Sequence, residues 1–287
     1  MKETTVLRNL LSGGKMLVAP GGFDGLSARL IERAGFPIVY VTGGGIARSM
    51  GYPDMGLITM SEVLARVKNI VDVTAIPVLA DADTGYGNAL NVMRTVREFE
   101  AIGVAGIHIE DQITPKKCGH YEGKALISEE EMIKKIEAAK EARADPDFII
   151  IARTDARAVE GLEKAIERGK RYAEVGADMI FVEAPQSVEE IQRITKSIRA
   201  PLVINMFKGG KTPLVSVDQL ERWGYRIAII PSPVQLAAIN AMREVLETLQ
   251  RDGTVEAYSN RMVTFQERDE IVGLEKFQKL EQRFLAL

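Results

Sequence analysis

The chain has 287 residues, 46% of them hydrophobic and 27% charged, with a formal net charge of −3 and one cysteine. So balanced a charge excludes a phosphate-neutralising nucleic-acid binder, and no apolar run approaches the roughly 18–20 residues that cross a bilayer. The lone Cys118 cannot form an internal disulfide, and the opening MKETTVLRNLLSGGK lacks the apolar core and cleavage site of a secretory signal, so the expected compartment is the cytoplasm.

Eight short, nearly continuous apolar runs follow in order: MLVAP (16–20), IVYVT (38–42), VLADAD (78–83), GIHIED (106–111), FIIIART (148–154), MIFVEA (179–184), LVINM (202–206) and IAIIP (227–231). Strands buried on both faces of a parallel sheet read this way, whereas one-sided strands alternate. Segments with helical periodicity lie between them, among them ALNVMRTVREFEAI (89–102) and GLEKAIERGKRYAEV (161–175). Thr59…Glu62 and Ser128…Glu131 have the spacing of capping boxes. Gly35, Gly103, Gly176 and Gly224 stand where helices should end in a left-handed residue before the next strand.

Eight such units predict an α/β fold, a single (β/α)8 TIM-type barrel; an open doubly wound sheet has the same alternation. The barrel should span about residues 1–250, with a helix near 234–250 and a turn at Arg251-Asp252-Gly253. A charged helical extension should follow over about 254–287, longer than one closing helix requires and suited to packing on a partner subunit.

In such barrels the reactive groups sit on the loops that follow the strands. Here the strand ends carry Thr42-Gly43-Gly44-Gly45, Asp81, Asp83, Glu110, Asp111, Arg153, Asp155, Glu183 and Asn205. Asp81 and Asp83 alternate with Ala82 and so should point the same way, forming an oxygen cluster with Glu110 that suits Mg²⁺ or Mn²⁺. The plainer alternative makes these acids solvated loop charges or helix caps. Arg153 is placed either to hold a substrate carboxylate in its planar fork or to pair with Asp155 or Glu183. In Lys116-Lys117-Cys118-Gly119-His120 the cysteine lies among cations, which should lower its pKa and make it a usable acid or base. His108, inside an apolar strand, is either a site residue or a satisfied core histidine.

YVTGGG (40–45), GYPDMG (51–56), DADTGYGN (81–88), HIEDQ (108–112), KKCGH (116–120), ARTDA (152–156), FVEA (181–184) and NMFKGGKTP (205–213) together resemble the isocitrate lyase/phosphoenolpyruvate mutase superfamily, nearly end to end. The likeness is greatest to its short branch of 2-methylisocitrate lyases, 2,3-dimethylmalate lyases and carboxyphosphonoenolpyruvate phosphonomutase. The resemblance implies a Mg²⁺-dependent lyase that cleaves a small 2-hydroxy di- or tricarboxylate into an α-keto acid, such as pyruvate, and a second carboxylic acid. It places Asp81, Asp83 and Glu110 around the metal, partly through waters, with Asp54 nearby. Thr42, Gly43 and Gly44 would hold the keto-acid end and Arg153 its carboxylate. Cys118 would be the catalytic acid on a mobile loop beside Lys116 and His120, while Glu183 and Asn205 line the second product's site. Tyr40 is the candidate for taking the hydroxyl proton. A homotetramer, built as a dimer of helix-swapped dimers, is the implied assembly.

The segment Asn205-Met206-Phe207-Lys208-Gly209-Gly210 departs from the N-x-T-E-F-G of methylisocitrate lyases. Loss of the threonine donor favours a branched dicarboxylate, although Lys208 is unusual even beside the N-M-x-E-G-G of dimethylmalate lyase relatives. KKCGH argues against phosphonopyruvate chemistry but leaves a phosphonomutase-like reaction open, as it does oxaloacetate hydrolysis or decarboxylation. A catalytically silent binding barrel should have lost a metal or loop residue, and none is missing.

Overall fold

Each apolar run becomes a strand in the computed structural model, which describes residues 1–285. The strands are β1 (Leu17–Gly22), β2 (Val39–Val41), β3 (Val78–Asp81), β4 (Gly106–Glu110), β5 (Ile149–Thr154), β6 (Met179–Val182), β7 (Leu202–Asn205) and β8 (Tyr225–Ile230). All neighbours pair in parallel, and β8 returns to pair with β1 through Leu17–Ile227 and Val18–Ala228. That closing ladder makes the sheet a (β/α)8 barrel and removes the open-sheet alternative.

The two-residue period of a strand divides the core. Leu79, Ile151, Phe181, Val203 and Ile229 fill the barrel interior, whereas Ala80, Ile107, Ala152 and Ile204 face the surrounding helices. Extending the inward parity toward each strand's C-terminal end converts apolar filling into a polar rim. Tyr40 leads to Thr42, Leu79 to Asp81, His108 to Glu110, Ile151 to Arg153, Phe181 to Glu183, and Val203 to Asn205. The site is thus the top layer of the same side-chain stack that forms the core.

At the other end of the barrel, the helix Glu3–Ser12 acts as a plug that the apolar-run pattern does not mark. Its Leu7 is fully buried among Leu17, Ile149, Met179 and Ile227, with Leu10 and Leu11 packed beside it. Arg8 ties the helix to the wall through Asp178 at 2.7 Å and the Asp147 carbonyl at 3.1 Å. Because the barrel floor cannot collapse to fill the space, Leu7→Ala should lower stability by about 2–5 kcal/mol. Denaturant titration measures this; an effect below about 1 kcal/mol would mean the helix is not a structural plug.

The helix signals hold with adjustments. Gly35, Gly103, Gly176 and Gly224 all lie in the left-handed region, with φ from +84° to +101°. Thr59 and Glu62 form a reciprocal capping box, while Ser128 caps only forward, accepting from the Glu131 N–H at 3.1 Å. The helix Pro233–Asp252 runs through two residues of the expected turn and stops at Gly253, φ +68°. A 3₁₀ turn, Glu256–Arg261, and the helices Phe265–Val272 and Leu274–Leu285 make up the extension, whose last two residues lie outside the described ones. Its final helix buries none of its residues against this chain, and Phe265, Phe277 and Phe284 are exposed. Among the described residues, no helix is long and apolar enough to cross a membrane.

Candidate active site

On the inner wall, the Tyr40 hydroxyl lies 2.9 Å from His108 Nε2, which is 3.6 Å from Asp81 Oδ1. His108 also stacks on Tyr40 and meets the edge of Phe181, so it is both a core residue and a hydrogen-bond partner at the site. Burial pushes His108 down to about 4, leaving it neutral at pH 7. Burial and the charge of Asp81 push the Tyr40 phenol well above its ordinary value. A phenol that keeps its proton can accept another only by passing its own to His108.

Glycines let the acids approach the backbone here. A Cβ at Gly43 would stand 2.8 Å from Asp81 Oδ2, and one at Gly44 would stand 2.7 Å from Asp54 Oδ2, so neither position tolerates a side chain without movement. Thr42 begins the helix Gly43–Ser49 as its N-cap, accepting from the Gly45 N–H at 3.3 Å.

Asp83 does not share the strand of Asp81 as its alternation predicts. β3 ends at Asp81, and Asp83 takes φ +48°, reaching the site from a left-handed turn while its N–H donates to Asp81 Oδ1 at 2.9 Å. Nor do the acids form a three-ligand oxygen cage: among the described residues, no three acidic, histidine or cysteine side chains converge to hold an ion directly. Cations draw them apart. Lys116 Nζ bridges Asp54 and Asp83, 2.9 Å from the latter, and Arg153 Nε takes one oxygen of Glu110 at 3.1 Å. The other Glu110 oxygen is buried without a hydrogen-bond partner. Burial works to raise Asp81, but His108, Lys116 and Arg153 outweigh it and bring the carboxyl down to about 2. For Asp83, burial and the charges of Asp81 and Asp54 prevail over Lys116 and push it up to about 6.

Arg153 realises the ion-pair alternative in full. Besides Glu110, its Nε reaches Asp155 Oδ2 at 2.9 Å and its Nη2 reaches Asp155 Oδ1 at 3.2 Å, with Glu183 at 3.9 Å. The guanidinium lies 5.2 Å over the Phe181 ring. Asp155 is held in turn by Asp111, which accepts the Asp155 N–H at 2.9 Å, the Thr154 hydroxyl at 2.7 Å and the Tyr172 hydroxyl at 2.9 Å.

The Lys116–Lys124 segment lies down over these groups. The Cys118 N–H donates to the Asp54 carbonyl at 3.1 Å, and a Cβ on Gly119 would stand 2.5 Å from Arg153 Nη2. His120 accepts the Lys211 N–H on Nδ1 at 3.1 Å, which leaves its ring proton on Nε2, directed at Glu183 Oε1 3.0 Å away. Asn205 Nδ2 also donates to that Glu183 oxygen, at 3.3 Å. Burial works to raise Glu183, but Arg153, His120 and Lys124 bring it down to about 2.

The cysteine behaves opposite to the expectation drawn from its lysine neighbours. Burial and the charge of Asp54 push the Cys118 thiol up to about 11. Lys116 is occupied by Asp54 and Asp83, and Lys117 turns outward to the Gly123 carbonyl at 2.9 Å, so the positive charge evident in the sequence does not reach the sulfur. A thiol that holds its proton serves as an acid, not as a nucleophile.

A family profile described as phosphoenolpyruvate phosphomutase matches residues 7–250. The chain belongs to that family. Its relatives include the 2,3-dimethylmalate lyase of Eubacterium barkeri, 48% identical over 99% of both chains. Another is the 2-methylisocitrate lyase of Aeropyrum pernix, 47% identical over 96% of this chain and 88% of the relative. Among solved structures, phosphonopyruvate hydrolase in complex with oxalate and Mg²⁺ superposes with a TM-score of 0.91 at 34% identity, each chain covered in full.

Within this phosphoenolpyruvate phosphomutase fold, the expected site residues line one cavity of about 330 Å³, with Gly43, Asp83 and Glu110 excepted. Asp83 and Glu110 are buried but do not line the cavity. Lys208 is exposed and outside the lining, so its replacement of the usual acid does not reach the wall; Phe207 does, edge-on to His120 at 4.6 Å. The residue pattern leaves two contributors unmarked. Lys124, its side chain buried, pairs with Asp155 at 3.2 Å and donates to the Gly119 carbonyl. Arg48 lines the cavity, while Asp111, marked at its strand end, holds Asp155.

Proposed function

We propose that this chain cleaves the C2–C3 bond of a branched 2-hydroxy dicarboxylate, with 2,3-dimethylmalate the leading candidate, releasing pyruvate or a similar α-keto acid and a second carboxylic acid. The chain is a carbon–carbon lyase, as its first relatives are by name; the substrate, the metal and the residue roles make up the proposal. The observation that carries it is Cys118, a proton-holding thiol lining the same cavity as Asp81.

The donor set suits Mg²⁺, a hard cation that keeps several waters and needs few direct carboxylates, and the unpartnered buried oxygen of Glu110 supports a cation there. Asp81, Asp83 and Glu110 would surround the ion, partly through the waters it keeps. When bound, it would polarise the substrate's 2-oxygen and keep the keto acid in place.

The protein's own groups divide the remaining work. Thr42, Gly43 and Gly44 seat the keto-acid end. Tyr40 accepts the hydroxyl proton while passing its own to His108, and Lys116 sets Asp54 and Asp83. As the bond breaks, Arg153, His120 and Asn205 stabilise the charge developing on the departing fragment, beside Glu183, and Cys118 delivers a proton to its carbanion. The exposed Phe265, Phe277 and Phe284 support an assembly in which the last helices are exchanged between subunits of a homotetramer. A cytoplasmic location, expected from the single cysteine, belongs to the same reading.

A second reading, 2-methylisocitrate cleavage, is favoured by the 47% identity to a lyase of that name. Ranking 2,3-dimethylmalate, 2-methylisocitrate, isocitrate, oxaloacetate and phosphonopyruvate by kcat/KM decides between them, with the keto acid trapped by a coupled dehydrogenase. The expected order begins with dimethylmalate. A lead by oxaloacetate or phosphonopyruvate would sink the carbon–carbon lyase assignment.

A further inference from the structure

Beyond β3 the chain turns sharply between Ala82 and Asn88, and four of its residues have positive φ: Asp83 at +48°, Gly85 at +80°, Tyr86 at +59° and Gly87 at +146°. Two of the four carry side chains, which strains the backbone, more at the bulky Tyr86 than at an aspartate. Such a conformation persists only where its surroundings over-determine it. One of the two is Asp83, an acid of the proposed cation site. The turn is held accordingly. The Glu110 N–H donates to the Asp83 carbonyl at 2.9 Å, the Thr95 hydroxyl donates to the Gly85 carbonyl at 3.0 Å, and the hydroxyls of Thr84 and Thr114 meet at 2.8 Å.

A further tie comes from the helix Glu129–Ala142. Its Lys135 is only 2% exposed, and its ammonium donates to the Thr84 carbonyl at 3.1 Å. Among the described residues that carbonyl is the one hydrogen-bond partner of the ammonium, and no carboxylate closes on it as an ion pair. Lysine is an unfavourable choice for such a place. A buried ammonium with a single neutral partner has lost its water and recovered little. Burial accordingly holds its pKa below the ordinary value, against the pull of Glu131, Asp111 and Glu110. An apolar side chain would suit a helix face that also buries Met132, Ile133, Ile136 and Ala139. The lysine makes sense if its contact serves the turn and not the fold.

We propose that Lys135 is a positioning residue for the cation: by fixing the Thr84 carbonyl it holds the chain beside Asp83 on its left-handed path and keeps that carboxylate at the site. Lys135 itself does not line the cavity. The proposal rests on the cation reading above and adds to it a residue that touches neither the ion nor the substrate.

Its signature is a divergence between stability and binding. Calorimetric titration of cation-free protein with Mn²⁺ measures Kd, and thermal melting in EDTA measures the fold. Lys135→Met keeps a long flexible stem without the N–H donors. It should weaken Mn²⁺ binding about 10- to 100-fold, the usual effect of losing a group that orients a metal ligand, while its Tm in EDTA stays at or above the wild-type value. Lys135→Arg, which keeps a charged donor, should recover part of the affinity. Met132→Ala, at a fully buried position of the same helix, should do the reverse and lower Tm with Kd unchanged. A wild-type Kd in Lys135→Met overturns the proposal. So does an equal loss of affinity in Met132→Ala, since general loosening of the helix would then suffice. A Lys135→Met protein that melts below the wild type in EDTA, or fails to fold, assigns the lysine to the fold and overturns it as well. If the wild type itself binds no Mn²⁺, the cation reading falls and takes this one with it.

Discussion

With Cys118 as the proposed acid, Cys118→Ala should lower kcat by about 10²- to 10⁴-fold, the usual contribution of a positioned general acid, while near-ultraviolet circular dichroism stays unchanged. The reason lies in the proton. With its pKa pushed up to about 11, the thiol stays loaded throughout the neutral and mildly alkaline range, and it can hand that proton to a strongly basic carbanion. Cys118→Ser tests the same point more finely, because serine preserves shape while its hydroxyl is a far poorer acid. Wild-type turnover in both variants would remove the cysteine from the mechanism. The direction of the pKa shift has its own readout. A raised pKa means the thiol loses its proton only as pH climbs toward about 11, so iodoacetamide at pH 8 should label cation-free protein about two orders of magnitude more slowly than free cysteine. A fast reaction would mean that the lysines do activate the sulfur after all.

Under the proposed function, stripping divalent cations should reduce cleavage to background and leave a less stable protein. Six buried carboxylates (Asp54, Asp81, Asp83, Glu110, Asp155 and Glu183) face only three buried permanent cations, Lys116, Lys124 and Arg153. An uncompensated charge out of water is costly, so a cation that binds only the folded state relieves the excess. At a concentration near 100 times its Kd, Mg²⁺ should add about 2.7 kcal/mol of stability and raise Tm by roughly 5–10 °C. Scanning calorimetry in EDTA and in MgCl₂, with ionic strength matched by NaCl, reads the shift, and Asp81→Asn should diminish it. Equal melting in both buffers together with full activity in EDTA would refute the cation site.

What the sequence makes legible follows from which forces are local. The eight strands stand out because burial on both faces leaves an unbroken apolar run, and the rim residues stand out because they continue that run's inward parity. The parity argument fails one residue past the strand: at Asp83 the backbone has already turned left-handed, so position no longer predicts direction. The plug helix is not legible, because a ten-residue helix whose contact with the barrel rests on Leu7, Leu10 and Leu11 carries no pattern distinguishing it from a loose terminus. The environment of the cysteine is illegible for a different reason. Its neighbours in sequence are cations, but the acids that take up Lys116, Asp54 and Asp83, come from distant loops, and Lys117 turns away to the Gly123 carbonyl. Lys124 and Arg48 share this limit, since what each does is set by Asp155 and Gln235, partners more than thirty residues away.

The plug helix also bears on traffic. Leu79, Ile151, Phe181, Val203 and Ile229 pack the barrel beneath the cavity, with Leu7 below them, so nothing passes through the barrel. Under the proposed roles, both fragments of a cleaved substrate would therefore share the strand-end side with the incoming substrate, and the packing that stabilises the barrel would also set that single direction of access.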